Sequence, residues 1–204
     1  AFREYPATHR GLVIWSRGSG DVTRILGGDS DNGAKTDAQG MTALAMQSAI
    51  RSGLFDAGIR GDQPLDVLGF DISAAGRVED AFAMKDLTKV FVSNASADGS
   101  HGWAYEEAFG FLGTTPDATA ADFAIAETNA WNSRAFEAGW LRRAHVAFDA
   151  SKLDKLALAT RSIVGATQII PSSMDRFAAA AALATTDGGG ENRRPDFKRF
   201  LDAF

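Results

Sequence analysis

Ser73 follows the apolar run LDVLGFD (65–71) by two residues, and a hydroxyl in that place admits two readings. Ligands and nucleophiles collect at the carboxyl end of a buried strand in an α/β protein, so Ser73 could attack a carbonyl. A small polar residue between strand and helix more often caps the helix or fits a tight turn. The nucleophilic reading needs a base to take the hydroxyl proton. Of the three histidines, His101 lies in the loop ADGSHGWAYEE and is the candidate base, whereas His9 and His145 stand at strand starts and read as structural. Arg17, in WSRGSG, keeps its proton and cannot serve as that base. Its guanidinium fork suits a carboxylate, either Asp71 or the end of a bound peptide.

Three further stretches could bind. RGSG lacks the glycine spacing and the lysine of a phosphate loop. In DSDNGAKTD, Asp29, Asp31 and Asn32 precede Gly33. That glycine comes one position early for an EF-hand, and Gly40 stands where the closing glutamate belongs. A plain loop and a looser oxygen-lined calcium site built on Asp29 and Asp31 are the two readings left. Trp103 and Tyr105 either pin their loop to the core or present an aromatic surface to a partner. No cofactor is called for.

These residues depend on the elements that carry them. GLVIWS (11–16), LDVLGFD (65–71) and KVFVSNAS (89–96) read as strands, and 41–50 reads as a helix with Gly53 as its stop. Ala74, Val78, Ala81, Phe82 and Lys85 recur at helical spacing, which predicts a helix running straight out of the second strand. The segment 121–140 is a long helix. AHVAFDASKLDKLALATRSIV is a strand and then a helix, with Ser151 and Asp154 resembling a capping box. The stretches 27–40 and DGGGENRRPDF are loops, and DFKRFLDAF begins a last helix. Strands alternating with helices over short connections predict an α/β fold, a mainly parallel sheet covered on both faces. Parallel strands end on one edge, which groups the loops after Ser16, Asp71 and Ser93 and with them Arg17, Ser73 and His101.

The 204 residues suit one domain, 1–204. Acidic residues number 26 against 21 basic for a net charge of −5, without long like-charge runs, which argues against nucleic acid or an anionic membrane as partner. No apolar run approaches a bilayer span. The absence of cysteine excludes a thiol nucleophile, a disulfide framework and a thiolate metal site from the chain. Such a composition fits the cytoplasm, slightly favoured, or the exterior. The first residue is Ala1, directly before the first strand, and the expectation is that an upstream piece has been removed.

In their order, GLVIWSRGSGD, DVLGFDISAAGRVEDAF, GWAYEEAF, HVAFDASKLDKL and RRPDFKRFLDAF resemble the clostripain family of caspase-fold cysteine proteases over nearly the whole chain. The resemblance implies a caspase/hemoglobinase-like three-layer sandwich whose first strand is missing from this chain. It also implies a His–Cys dyad, the thiolate attacking the scissile carbonyl. Arg17 stands at the family's His position and Ser73 at its Cys position. Trp103 and Tyr105 match a Gly-Trp-x-Tyr element that, with Asp71, would shape a substrate or partner groove, and some relatives use calcium. The expected function is that of a catalytically inactive pseudoprotease, a regulatory or binding partner or a substrate of an active protease. Its protein partner would be an upstream precursor fragment or an active protease. The alternative is an active cysteine endopeptidase carrying a Cys-to-Ser substitution at Ser73, and a third is a serine hydrolase using Ser73 and His101.

Overall fold

A computed structural model of the chain describes residues 2–16, 40–95, 102–140 and 144–169. The chain divides into two units, 1–153 and 154–204. In the first, four strands form one sheet in the order β1 (Gly11–Trp15), β2 (Leu65–Asp71), β3 (Thr88–Asn94) and β4 (His145–Asp149). β1, β2 and β3 are parallel, and β4 runs antiparallel to β3. The helices are α1 (Ala43–Asp56), α2 (Val78–Met84), α3 (Tyr105–Thr114), α4 (Ala120–Glu137) and α5 (Ala150–Ile169). This is the α/β, mainly parallel architecture expected. Of the second unit, the described residues continue α5, where Thr160 and Ser162 hydroxyls donate to the carbonyls four residues back.

Side chains alternate across a strand, and the register sorts them into two layers. Val67, Val90 and Val92 face one way, where Val13, Trp103, Ala120, Phe123 and Ala124 pack on them. Leu68, Phe70 and Phe91 face the other way and are fully buried. Phe70 and Phe91 meet edge to face at 5.1 Å, and Phe91 reaches Phe148 at 6.4 Å. On this second side α2 packs on β3 and α1 packs on α2, with the Gln47 side chain donating to the Ala83 carbonyl at 2.7 Å. β2 and β3 have continuous apolar runs because both their faces are covered. β1 is the edge strand among the described residues and is only half-buried.

Local chemistry sets the helix ends. Thr119 and Asp122 form a reciprocal capping box at the head of α4. At the head of α5 the Asp149 carboxylate accepts from the Ser151 N–H at 2.9 Å and its hydroxyl at 2.6 Å, so the capping acceptor there is Asp149 and not Ser151. α2 starts at Val78 with Arg77 as its N-cap, four residues later than the periodicity predicts. The intervening residues turn instead: the Ala75 N–H donates to the Ile72 carbonyl at 3.3 Å, and Ala74 takes a φ of 60°. Gly76 closes the turn against β3, its N–H donating to the Asn94 carbonyl at 2.7 Å. A Cβ there would stand 2.8 Å from Ala95 N and from the Asn94 carbonyl carbon, so only glycine fits this approach of two backbones.

Candidate functional site

The parallel strands bring the ends of β1, β2 and β3 to one edge, with Trp15 opposite Asp71 and Phe70 opposite Ser93. Ser73 is half-buried in the turn at this edge. The left-handed Ala74 beside it is a backbone state that a residue with a Cβ adopts at some cost, a feature that gathers at functional sites. Arg17, His101, Asp29 and Asp31 lie outside the described residues. The neighbours of the first two are in view: the Ser16 N–H donates to the Asp71 carbonyl at 3.3 Å, and a Cβ on Gly102 would stand 3.2 Å from Asp71 Oδ2. Among the described residues no group of three His, Asp or Glu side chains is placed to hold a metal ion.

Asp71 is 1% exposed. Its Oδ2 accepts from the Trp103 N–H at 3.1 Å and from the Tyr105 hydroxyl at 2.8 Å. Burial, the hydrogen bond to Asp71 and that carboxylate's charge push the Tyr105 hydroxyl far above the usual tyrosine range. The indole of Trp103 lies on the β2 backbone at Gly69, where a Cβ would meet its Cη2 at 2.1 Å. It is buried, whereas Tyr105 is partly exposed. Tyr105 stacks between Trp103 and Phe109, with ring centroids at 6.1 and 6.3 Å. An aromatic series thus leads from the buried carboxylate along α3 toward solvent, where Phe109 is exposed. Trp103 therefore anchors its loop while Tyr105 shows one side to water.

Beneath this loop is a cluster that sequence reasoning missed. Glu127 of α4 and His145 of β4 are buried against each other, Nδ1 to Oε2 at 2.8 Å. The imidazole is stacked on Trp131 at 4.8 Å and meets Trp103 edge-on at 5.6 Å. Trp131 Nε1–H donates to the Gly102 carbonyl at 2.9 Å, and the Ala104 N–H points to Glu127 Oε1 at 3.4 Å. Asn132 fixes the first residue of β4 by exchanging hydrogen bonds with the backbone N–H and carbonyl of His145 at 3.0 and 3.2 Å. As a strand start, His145 would lie at the far end of a wholly parallel sheet. β4 is antiparallel, so His145 sits beside Asn94 at the candidate edge. The signal in the sequence was Glu127 itself, an acid on the stripe Ala124, Trp131, Ala135 that α4 buries.

A cavity of about 500 Å³ lies at the other end of the sheet, lined by Asp66, Lys89, Thr119, Ala124 and Asp149 among others. It is mostly apolar, and Asp66 is already engaged by Lys89 at 2.7 Å and by the Arg10 N–H at 2.7 Å. Polar groups also converge at the Asp71 edge, where the Trp103 N–H and the Tyr105 hydroxyl meet the carboxylate.

A profile of the clostripain family matches residues 1–181. No curated protein matches the sequence. Among solved structures, the chain resembles an inactive zymogen C11 protease from Parabacteroides distasonis, at 18% identity and a TM-score of 0.61, over 98% of this chain and 51% of that one. It also resembles a secreted C11 cysteine protease from Bacteroides thetaiotaomicron in complex with an irreversible peptide inhibitor, at 20% identity and a TM-score of 0.54, over 79% of this chain and 45% of that one. The chain spans about half the length of these two proteins.

Proposed function

This chain belongs to the clostripain family, and from that premise we propose that it is a catalytically inactive member, a pseudoprotease that acts by binding a polypeptide partner. The observation that carries the reading is Ser73 on the turn after β2, in a chain without cysteine. A thiolate forms at neutral pH in a tuned site, whereas a serine hydroxyl needs a base. Arg17, at the position where the family's histidine is expected, cannot accept a proton.

The binding half of the proposal rests on two surfaces. Tyr105 and Phe109 carry the aromatic series outward from Asp71. The second surface is the outer edge of β1. Arg10 accepts from β2 and Ser16 donates to it, so by alternation Gly11, Val13 and Trp15 turn their N–H and carbonyl groups away from β2. Trp15 is 80% exposed on that edge. An apolar edge without charge or proline suits addition of an extended strand, from a precursor fragment or from an active protease.

The test restores the dyad. With Ser73→Cys and Arg17→His, a peptidyl acyloxymethyl ketone is expected to alkylate the new thiolate, Sγ displacing the carboxylate leaving group, and intact mass should show one adduct per chain. The native chain should remain unlabelled by this reagent and by a fluorophosphonate. Fluorophosphonate labelling that disappears in Ser73→Ala would replace the proposal with a serine hydrolase. Turnover of a peptide by Ser73→Cys alone would instead favour the active cysteine peptidase.

A further inference from the structure

We infer that Glu127 and His145 are positioning residues: as one buried strut between α4 and β4, they set the loop 102–105 against Asp71. Besides the Trp103 indole packed on the sheet, hydrogen bonds hold the loop at two levels. Its backbone is tied below to Glu127 through Ala104 N–H and to Trp131 through the Gly102 carbonyl. Above, Trp103 N–H and the Tyr105 hydroxyl reach Asp71. His145 joins the two levels, because its ring lies between Trp131 and Trp103 while its Nδ1 is held by Glu127. Glu127 and His145 side chains are both 0% exposed, so the pair is shielded from screening and its geometry is over-determined by packing. Trp131 Nε1 and Glu127 Oε1 act on Gly102 and Ala104, the residues on either side of Trp103, and α4 presents the two side chains four positions apart, on one face. Changes at the pair therefore reach Asp71 and Tyr105 without either residue touching them.

This inference concerns the site of the proposed function but does not use catalysis, so either can fail alone. Its readout is Tyr105. The chain has two tyrosines, and Tyr5 is exposed. In an absorbance titration of Tyr5→Phe, where Tyr105 is the remaining tyrosine, the phenol bonded to Asp71 should stay protonated to the end of the folded range. Glu127→Gln leaves one acceptor oxygen and also removes a charge that itself raises Tyr105, so the Trp103 amide is its deciding readout. Trp131→Phe keeps a six-membered ring beside His145 but loses the donor to Gly102 and the packing of the indole's second ring. In the same Tyr5→Phe background both variants should let Tyr105 ionise within the folded range, while far-UV circular dichroism is unchanged. At neutral pH the Trp103 amide, which donates to Asp71, should lose about tenfold or more of its hydrogen-exchange protection, while β2 and β3 amides keep theirs. Should Glu127→Gln fail to fold, Trp131→Phe decides. A folded variant in which Tyr105 stays silent and the Trp103 amide stays protected overturns the inference. So does a Tyr5→Phe chain in which Tyr105 ionises at the free tyrosine value of about 10.

Discussion

Gly69→Ala is expected to expel Trp103 from the sheet and to lower stability by about 3–5 kcal/mol, the loss seen when a buried tryptophan is truncated. The new Cβ would stand 2.1 Å from Cη2 and 2.4 Å from Cζ2 of the indole. No small adjustment relieves this. β2 is paired on both sides, with β1 and β3, so the backbone cannot retreat without breaking two ladders. The indole cannot slide, because His145 meets its edge and Tyr105 stacks on it. The ring must therefore leave, and with it the packing on Val67, Val90, Val92 and Ala124. Urea unfolding would measure the loss as a lower midpoint at similar slope. A Trp103→Leu change in the Gly69→Ala background should destabilise far less than the two single losses added together, since the smaller side chain removes the clash. Additive losses would mean that the indole does not lie on Gly69.

The alkaline behaviour of the native chain follows from the same loop. The Tyr105 hydroxyl is raised in the folded state by burial and by Asp71. Docking of this side chain is thus fully favourable below the unfolded tyrosine value of about 10 and is lost as pH rises toward the folded one. Between the two, the unfolded chain sheds the proton and the folded chain holds it, so stability falls with rising pH. Asp71→Asn should bring Tyr105 down toward the unfolded value and flatten that dependence, which unfolding curves between about pH 9 and 11 would read.

Sheet strands and the edge they share were readable because buried parallel strands leave near-continuous apolar runs, as LDVLGFD and KVFVSN do. Asp71, Trp103 and Tyr105 were singled out by type and place, and they meet in space. Other parts were hidden for physical reasons. A period-3.6 reading carried the helix back to Ala74, but Gly76 must approach the Asn94 backbone and Ala74 must take a positive φ, neither of which periodicity records. The first three residues of α3, Tyr105 to Glu107, fall within the loop reading ADGSHGWAYEE because the residues before Tyr105 are polar and rich in glycine. The direction of β4 is not written in its five residues: HVAFD alternates equally well in either direction. That one unknown placed His145 at the wrong end of the sheet and concealed the pairing with Glu127.

Glu127→Ala is the other change with a large expected effect, about 3–5 kcal/mol, the usual consequence of breaking a buried pair by removing one partner. The imidazole of His145 would keep its place between two indoles but face a cavity where the carboxylate was, and the Ala104 N–H would lose its acceptor. That is a considerable share of the ~5–15 kcal/mol that holds a typical domain folded. The sign of the coupling makes the argument testable. Taking two polar groups into the interior is itself costly, and apolar replacements of similar volume can recover most of the loss. The double change Glu127→Leu with His145→Leu should therefore lie well above the sum of the single losses, and above Glu127→Ala alone if Leu fills the space. Thermal or urea unfolding of the singles and the double would give the coupling directly. Recovery of stability in the double variant, with Tyr105 still released from Asp71, would separate the two things the pair does. As a polar pair it contributes little net stability against a good apolar filling, and its hydrogen bonds are what hold the loop in register with Asp71.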